Sequence, residues 1–251
     1  MARPDPKGGE PEAGREIKNR LIVALDVEGL GEAESIVDRL QGVVSTFKVG
    51  SQLFTAAGPA AVELVQKRGG RVFLDLKYHD IPNTVAGSVR EATRLGVFML
   101  TVHASGGGAM MRAAAEAVQS GARDAERPII LAVTLLTSLD RAALQRELHV
   151  PLSVEGHALH LAQLARAAGL DGSVASPREA GAIRNGLGPE WVIVTPGVRP
   201  AGSVQYDQVR VATPAAAVRA GANYLVVGRP ITQAPDPAEA ALSILEAMHE
   251  G

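Results

Sequence analysis

The chain repeats one pattern eight times from Leu21 onward: a short apolar run is followed by a longer segment of helical periodicity, or by a loop that leads into one. Such alternation predicts βαβ units and therefore a parallel sheet covered by helices. Eight units predict an α/β fold of the closed (β/α)8 class, the TIM barrel, which occupies about 250 residues as one domain. The candidate strands are residues 21–25, 45–49, 71–76, 98–102, 129–134, 172–175, 191–195 and 224–227.

An open doubly wound sheet is the competing fold. It would normally carry a glycine-rich fingerprint after its first strand, whereas here the first strand leads into Asp26 and Glu28. Prolines and glycines fall where helices should begin and end, with Pro59 and Pro82 predicting helix starts and the glycines of 69–70 predicting an end. We therefore predict a single barrel domain over residues 20–251.

The composition limits the cellular compartments in which we expect the protein and the classes of partner that it could bind. The first 19 residues mix proline, glycine and both signs of charge, which predicts a disordered tail, and no apolar run approaches the roughly 20 residues that span a bilayer. The net charge is −2 with basic residues scattered along the chain, which disfavours nucleic acid as a partner. Cysteine is absent, which excludes disulfides and thiolate chemistry and suits a cytoplasmic protein.

Ionisable residues gather where the first three strands end. Asp26 follows strand one, Lys48 lies in strand two, and Asp75 and Lys77 end strand three. The carboxyl ends of barrel strands form the catalytic face, and a buried charge there is costly unless it is paired. Alternation along a strand places Asp75 and Lys77 on the same side, so we expect an alternating array of charges, to which Asp80 adds a further carboxylate.

Two other interpretations of these charges remain open. A structural ion-pair network at the barrel rim would also shift the pKa values of these side chains. For Asp26 and Lys48 considered alone, a structural role and a functional role are equally favoured. The dense charge of residues 75–80, directly before a proline-initiated helix, favours function. A metal site with Asp75, His79 and Asp80 as ligands is the third reading, against which the adjacent lysine ammonium counts.

Glycine and arginine follow strands seven and eight. Residues 195–200 (TPGVRP) contain Arg199, and residues 228–230 (GRP) contain Gly228 and Arg229. Barrels frequently bind phosphate between these two loops through glycine amides, and the arginine fork matches phosphate geometry. The two loops together predict a site for a phosphorylated small molecule, although either arginine alone would more often be a surface residue.

Three further polar groups each allow two interpretations. The loop 201–210 is either a lid over a ligand or an ordinary exposed connection. Thr137 and Ser138 after strand five either bond a polar ring or cap the next helix. His103 with Ser105 is interpreted as a structural turn rather than a catalytic pair, because no acidic partner is evident.

Residues 75–84, DLKYHDIPNT, resemble at all ten positions the signature segment of the orotidine 5′-phosphate decarboxylase family of the bacterial type. The resemblance extends from 21 to 248. It departs at Tyr78, where the family commonly has phenylalanine, and in the variable lid. The other strand ends contribute the shorter motifs ALD (24–26), FKVG (47–50), HASGG (103–107), LTS (136–138), TPG (195–197) and GRP (228–230).

The resemblance implies decarboxylation of orotidine 5′-monophosphate to UMP, the last step of de novo pyrimidine synthesis, without cofactor or metal. It implies a homodimer with shared active sites. By resemblance, Lys77 donates a proton to C6 and Asp75 lies against the departing carboxylate. The resemblance also implies that Asp80, Ile81 and Thr84 serve the partner subunit's site. It places Lys48 and Asp26 at the ribose and in the charge network, and Thr137 at the pyrimidine. It places Gln208 in the lid between base and phosphate, and Arg199, Gly228 and Arg229 at the phosphate.

Other phosphate-binding barrels remain as alternatives. One is a metal-dependent 3-keto-gulonate 6-phosphate decarboxylase or a ribulose-phosphate epimerase, which metal dependence would distinguish. Another is a non-catalytic nucleotide-sensing barrel, which would keep the phosphate loops but would not need Lys77 between two acids.

Overall fold

The computed structural model describes residues 19–121, 127–199 and 212–251. Within these ranges eight parallel strands pair in sequence order, and β8 pairs with β1 to close the barrel. The predicted (β/α)8 class is confirmed, and each predicted strand overlaps an observed one. The strands are β1 Leu21–Ala24, β2 Thr46–Gly50, β3 Arg71–Tyr78, β4 Met99–His103, β5 Ile129–Val133, β6 Gly172–Val174, β7 Val192–Pro196 and β8 Tyr224–Val227.

Helices cover the outside of the barrel. Pro82 is the first residue of its helix and Pro59 directly precedes another, as the sequence predicts. Gly69, with a φ of +75°, follows the end of that second helix in a backbone region that other residues rarely adopt. The helices are α1 Leu30–Arg39, α2 Ser51–Ala57, α3 Ala60–Lys67, α4 Pro82–Arg94, α5 Gly107–Gly121, α6 Arg141–Arg146, α7 Val154–Ala167, α8 Pro177–Leu187, α9 Pro214–Arg219, α10 Arg229–Thr232 and α11 Pro237–His249.

Two apolar layers follow from the alternation of side chains along the strands. Leu21, Val23 and Leu25 of the first strand region point outward into the large core between strands and helices. Ile22 and Ala24 point inward and belong to the packed lumen. The rest of the buried lumen cluster consists of Phe73, Met99, Leu131, Val194 and Val226. Ala24, Phe73 and Val226 of this cluster also line a cavity at the carboxyl ends of the strands.

Several sequence predictions concern residues at the limits of the described ranges. Most of the predicted tail, residues 1–18, lies outside them, as does the whole segment 201–210 with the predicted lid residue Gln208. Asn19, the last residue of the predicted tail, accepts a hydrogen bond from the Ser45 hydroxyl at 3.0 Å. Across the ranges that are described, none of the helices combines the length and the apolar character needed to traverse a bilayer.

Candidate active site

A row of four alternating charges, called here the charge chain and formed by Asp26, Lys48, Asp75 and Lys77, crosses the mouth of the barrel. The Lys48 ammonium lies 2.8 Å from Oδ1 of Asp26 and 3.8 Å from Oδ2 of Asp75. The same Asp75 oxygen lies 2.8 Å from the Lys77 ammonium. The structure therefore brings together the four charges that the sequence places at the ends of strands one to three, in the order acid, base, acid, base.

Strand register explains why these side chains meet. Ala24 pairs with Lys48, and Gly50 pairs with Asp75, so the carboxyl ends of β1, β2 and β3 are level. Phe73 lies in the apolar lumen, and Asp75, two residues further along the strand, faces the same way but one layer higher. Gly50 leaves the space that the pair needs, because a Cβ atom there would lie 2.8 Å from the Lys48 ammonium.

The middle of this charge chain is withdrawn from solvent. Lys48 is 9% exposed and Asp75 is 7% exposed, whereas the Asp26 side chain at one end is 54% exposed. Desolvated ions are retained only where attraction and hydrogen bonding offset a cost of several kcal/mol per ion. Two such groups at the carboxyl ends of the barrel strands make this row of charges a candidate site for a charged ligand.

The backbone at Lys77 is unusual. Its φ is +51°, in the left-handed region that costs a residue with a Cβ atom about 1–2 kcal/mol. The β3–β4 register also shifts between Leu74 and Tyr78: Leu74 pairs with Leu100, whereas Tyr78 pairs with Val102. The sequence predicts that Asp75 and Lys77 share a side by simple alternation, but the structure brings them together at an irregular strand end.

One buried hydroxyl contacts both residues of the Asp75–Lys77 pair. Thr101 of β4 is fully buried, and its Oγ1 donates to Oδ1 of Asp75 at 3.0 Å. The same oxygen accepts the backbone N–H of Lys77 at 2.9 Å. Sequence reasoning missed Thr101, although a polar residue between the apolar Leu100 and Val102, in phase with the lumen-facing Met99, was an available signal.

The charge chain faces a cavity of about 490 Å³, whose wall also includes the two arginine loops. Arg199 after β7 and Arg229 after β8 both line it, together with Gly228. Arg199 is only 7% exposed, so its guanidinium belongs to the interior of the site rather than to the outer surface. A ligand that fills the cavity could therefore meet cations on the β1–β3 side and on the β7–β8 side.

The wall of the cavity between these charged sides is partly apolar. Leu135, Leu136 and Val174 line it, and Thr137 provides a polar group beside them. An aromatic ring with polar edges suits such a surface. Lining residues that sequence reasoning missed are Glu32, Gln52, Thr232 and Gln233. They lie within helices or at a helix end, whereas the sequence-based search for site residues considered the ends of strands.

Asp80 does not join the charge chain of its own barrel. Its Oδ1 accepts the backbone N–H of Ile81, and the residue lines a separate shallow depression with His79 and Pro82. Ile81 is 67% exposed, which is unusual for a large apolar side chain, and Thr84 is exposed too. Three residues assigned by resemblance to a neighbouring subunit thus form an outward-facing group.

His103 occupies a structural position beside the site. Its Nδ1 lies 2.7 Å from the Ser105 hydroxyl and caps the short turn Ala104–Gly106, which agrees with the predicted turn. Its ring stacks on His79 at 5.3 Å. Burial, followed by the charges of His79 and Lys77, lowers the pKa of His103. The neutral ring is therefore favoured next to the cationic end of the charge chain.

The arrangement of the side chains does not support the interpretation of Asp75, His79 and Asp80 as a metal site. Among the residues described by the structure, no three His, Asp or Glu side chains converge as ligands. Asp75 is paired with Lys77, and Asp80 lines a separate depression rather than the cavity that Asp75 lines. The site is organised around lysine ammonium groups instead.

This geometry can be compared with known proteins. A family model described as "Orotidine 5'-phosphate decarboxylase / HUMPS family" matches residues 19–244. The chain belongs to this family. Its match covers all eight strands, the charge chain and both arginine loops, so the family resemblance inferred from the signature segment is confirmed.

Individual members of the family align over nearly their whole length. The chain is 62% identical over 229 residues to an orotidine 5′-phosphate decarboxylase of Moorella thermoacetica, covering 90% of this chain and 91% of that protein. It is 52% identical over 234 residues to one of Geobacter sulfurreducens, covering 93% and 98%. The crystal structure of orotidine 5′-phosphate decarboxylase from Lactobacillus acidophilus superposes with a TM-score of 0.81 at 36% identity, covering 92% and 99%.

Proposed function

We propose that this chain is a carboxy-lyase, an orotidine 5′-phosphate decarboxylase that converts orotidine 5′-monophosphate to UMP and CO2 in pyrimidine biosynthesis. The observation that carries the proposal is the Lys77 ammonium, held 2.8 Å from Asp75 on a cavity that two arginine loops line on another side. Relatives that are 51–62% identical over 90% or more of the chain bear the same enzyme name.

The substrate has three parts, and each has a matching part of the cavity. The phosphate suits Arg199 and Arg229 with the backbone at Gly228, because guanidinium forks bind phosphate oxygens in pairs. The pyrimidine suits the apolar wall beside Thr137. The ribose hydroxyls suit Asp26 and Lys48 at the mouth. In this arrangement C6 and its carboxylate face Asp75 and Lys77.

The reaction breaks the bond between C6 and the carboxylate carbon, and the electron pair stays on C6 while CO2 leaves. No electron sink is required from a cofactor if a fixed cation stabilises the developing carbanion, and Lys77 is that cation. The same ammonium then transfers a proton to C6, which gives UMP and a neutral amine that regains a proton from solvent. Asp75 keeps the ammonium charged and oriented before the reaction.

Asp80, Ile81 and Thr84 are proposed to complete the site of a second subunit. Ile81 is 67% exposed in the single chain and would lose that exposure in a homodimer. Asp80 carries a carboxylate outward on the same surface. A symmetric dimer places each such group against its partner, so one arrangement would complete both sites.

The deciding experiment follows orotidine 5′-monophosphate consumption by ultraviolet absorbance and identifies UMP by chromatography. The purified chain should convert the substrate completely. A preparation of the Lys77→Ala variant made in the same way controls for host enzyme. Absence of UMP formation, or a preference for 3-keto-gulonate 6-phosphate, would contradict the proposal.

A further inference from the structure

We propose that Thr101 is a positioning residue of this enzyme, whose single hydroxyl fixes the carboxylate of Asp75 and the backbone of Lys77 together. The inference rests on the proposed function, because it concerns how the proton donor is held. Thr101 lies in β4 in phase with the lumen-facing Met99, is fully buried, and is not among the described residues that line the cavity. It therefore acts on the substrate only through Asp75 and Lys77.

The directions of the two hydrogen bonds are fixed by chemistry. A backbone N–H can only donate, so the Lys77 amide occupies a lone pair of the Thr101 oxygen at 2.9 Å. The hydroxyl then has one proton to give, and it gives it to Oδ1 of Asp75 at 3.0 Å. Bonds aligned in this way polarise one another, and the last one is strengthened by the ionised acceptor.

The strand geometry explains why a side chain is needed at this point. Continuation of the regular β3–β4 register would place Leu76 opposite Val102, but Tyr78 takes that position, so two residues are inserted into β3. The bulge removes the Lys77 amide from the regular ladder, and Thr101 Oγ1 accepts it instead. The hydroxyl thereby stabilises a left-handed backbone that is unfavourable for lysine.

The Asp75 carboxylate is held on both of its oxygens as a result. Oδ1 accepts from Thr101, and Oδ2 faces the ammonium groups of Lys77 at 2.8 Å and Lys48 at 3.8 Å. Removal of the hydroxyl would free the carboxylate to rotate and would leave the partly buried Lys77 amide without its acceptor. The distance between the proton donor and C6 would then vary, which lowers the rate of the chemical step more than substrate affinity.

The test compares Thr101→Val, which keeps the shape but has no hydroxyl, with Thr101→Ser, which keeps the hydroxyl. We expect Thr101→Val to lower kcat by about 10- to 100-fold, the loss that follows from removing a hydrogen bond to a charged group, with KM little changed. Thr101→Ser should restore most of kcat. Hydrogen exchange at the Lys77 amide should accelerate in Thr101→Val and not in Thr101→Ser.

Thr93→Val is the matched control. Thr93 is a buried threonine of α4 whose hydroxyl donates to the Val89 carbonyl at 2.9 Å, in a helix on the outside of the barrel. Its replacement also removes a buried hydrogen bond but should leave kcat and the Lys77 amide unchanged. If Thr101→Val does not fold, Thr101→Ala lacks the same hydroxyl and gives the same comparison.

Three outcomes would overturn the role of Thr101. They are full activity of a folded Thr101→Val protein, a rise in KM with kcat unchanged, or an equal loss of kcat in Thr93→Val. Failure of the proposed function looks different, because the unmodified chain itself would then form no UMP.

Discussion

The Lys77 ammonium lies 2.8 Å from Oδ2 of Asp75, although the two residues belong to an irregular strand end whose backbone is left-handed at the lysine. The pair is one half of the charge chain, and Lys48 with Asp26 is the other. Within the pair, Lys77 is the residue whose removal should matter more to chemistry and less to folding, because its side chain is 35% exposed and that of Asp75 is 10% exposed.

Replacement of Lys77 by alanine should lower kcat by about 10⁴-fold or more, because it would remove both the fixed cation and the proposed proton donor. Steady-state kinetics on orotidine 5′-monophosphate measures this. Lys67→Ala is the control, since Lys67 is an exposed lysine of α3 paired with Glu63 and lies outside the cavity lining. Near-normal kcat of the Lys77→Ala enzyme would show that Lys77 is not the proton donor.

Subunits that carry Lys77→Ala and subunits that carry Asp80→Ala should be nearly inactive separately and should regain activity when mixed. Each heterodimer would contain one site with both native residues, so random exchange should restore about a quarter of the wild-type rate per site. Native mass spectrometry must show that heterodimers have formed. Demonstrated heterodimers without activity would rule out a shared site.

Gly50→Ala should weaken catalysis although the backbone tolerates alanine there, with a φ of −94°. The added Cβ would lie 2.8 Å from the Lys48 ammonium and 3.0 Å from Oδ1 of Asp26, so the pair must shift. A displacement of this kind should lower kcat/KM by about 10- to 100-fold. Gly181→Ala in α8, where nothing lies within 4 Å, is the control and should retain wild-type kcat/KM. Equal activity of both variants would refute the spatial argument.

The lowered pKa of His103 predicts a pH dependence of stability. Burial and then the charges of His79 and Lys77 depress it below the ordinary 6.5, so between the two values the unfolded chain binds more protons than the folded one. Its contribution is complete above pH 6.5 and is lost as pH falls toward the depressed pKa. Melting temperatures measured from neutral to mildly acidic pH should therefore decline less steeply in His103→Asn.

The exposed His249 supplies the control for that series. His249→Asn should keep the wild-type slope, because it leaves both His103 and His157 in place. His157, whose pKa burial also lowers, should retain its own share of the slope in His103→Asn. Identical slopes for His103→Asn and the wild-type chain would show that protonation of His103 does not contribute to the pH dependence of stability.

Dialysis against EDTA should leave kcat unchanged. Lysine ammonium groups already lie between the carboxylates that would otherwise attract a divalent cation, with Lys77 and Lys48 both facing Oδ2 of Asp75. The assay is repeated after addition of Mg²⁺ or Mn²⁺. Loss of activity on EDTA treatment with recovery on metal addition would favour the metal-dependent sugar-phosphate decarboxylase reading.

The barrel was predictable because its signals are local and repeated. Each strand is a short apolar run, and prolines such as Pro82 mark helix starts independently of tertiary contacts. Strand boundaries shifted by no more than two residues, and the larger differences have physical causes. β3, for example, continues to Tyr78 because the inserted residues resume pairing with β4, which periodicity alone does not reveal.

The candidate site was predictable only in part. Charges at strand ends are visible in a sequence because burial of an ion needs an explanation, and that argument led to Asp75 and Lys77. Thr101 carries no charge and reads as an ordinary strand residue, and its contacts depend on a register shift that no local rule encodes. The outward position of Asp80 also followed from resemblance rather than from residue spacing.

Closure of the barrel between β8 and β1 has a consequence for synthesis on the ribosome. The chain is made from its amino end, so the carboxylates and lysines of the first three strands emerge early, whereas Arg229 is among the last residues of the barrel. Before residues 224–227 emerge, β1 has no partner on one side and the lumen stays open to water. A transcript cut short ahead of that point would encode the charge chain and Arg199 but not Arg229, which lines the other side of the same cavity.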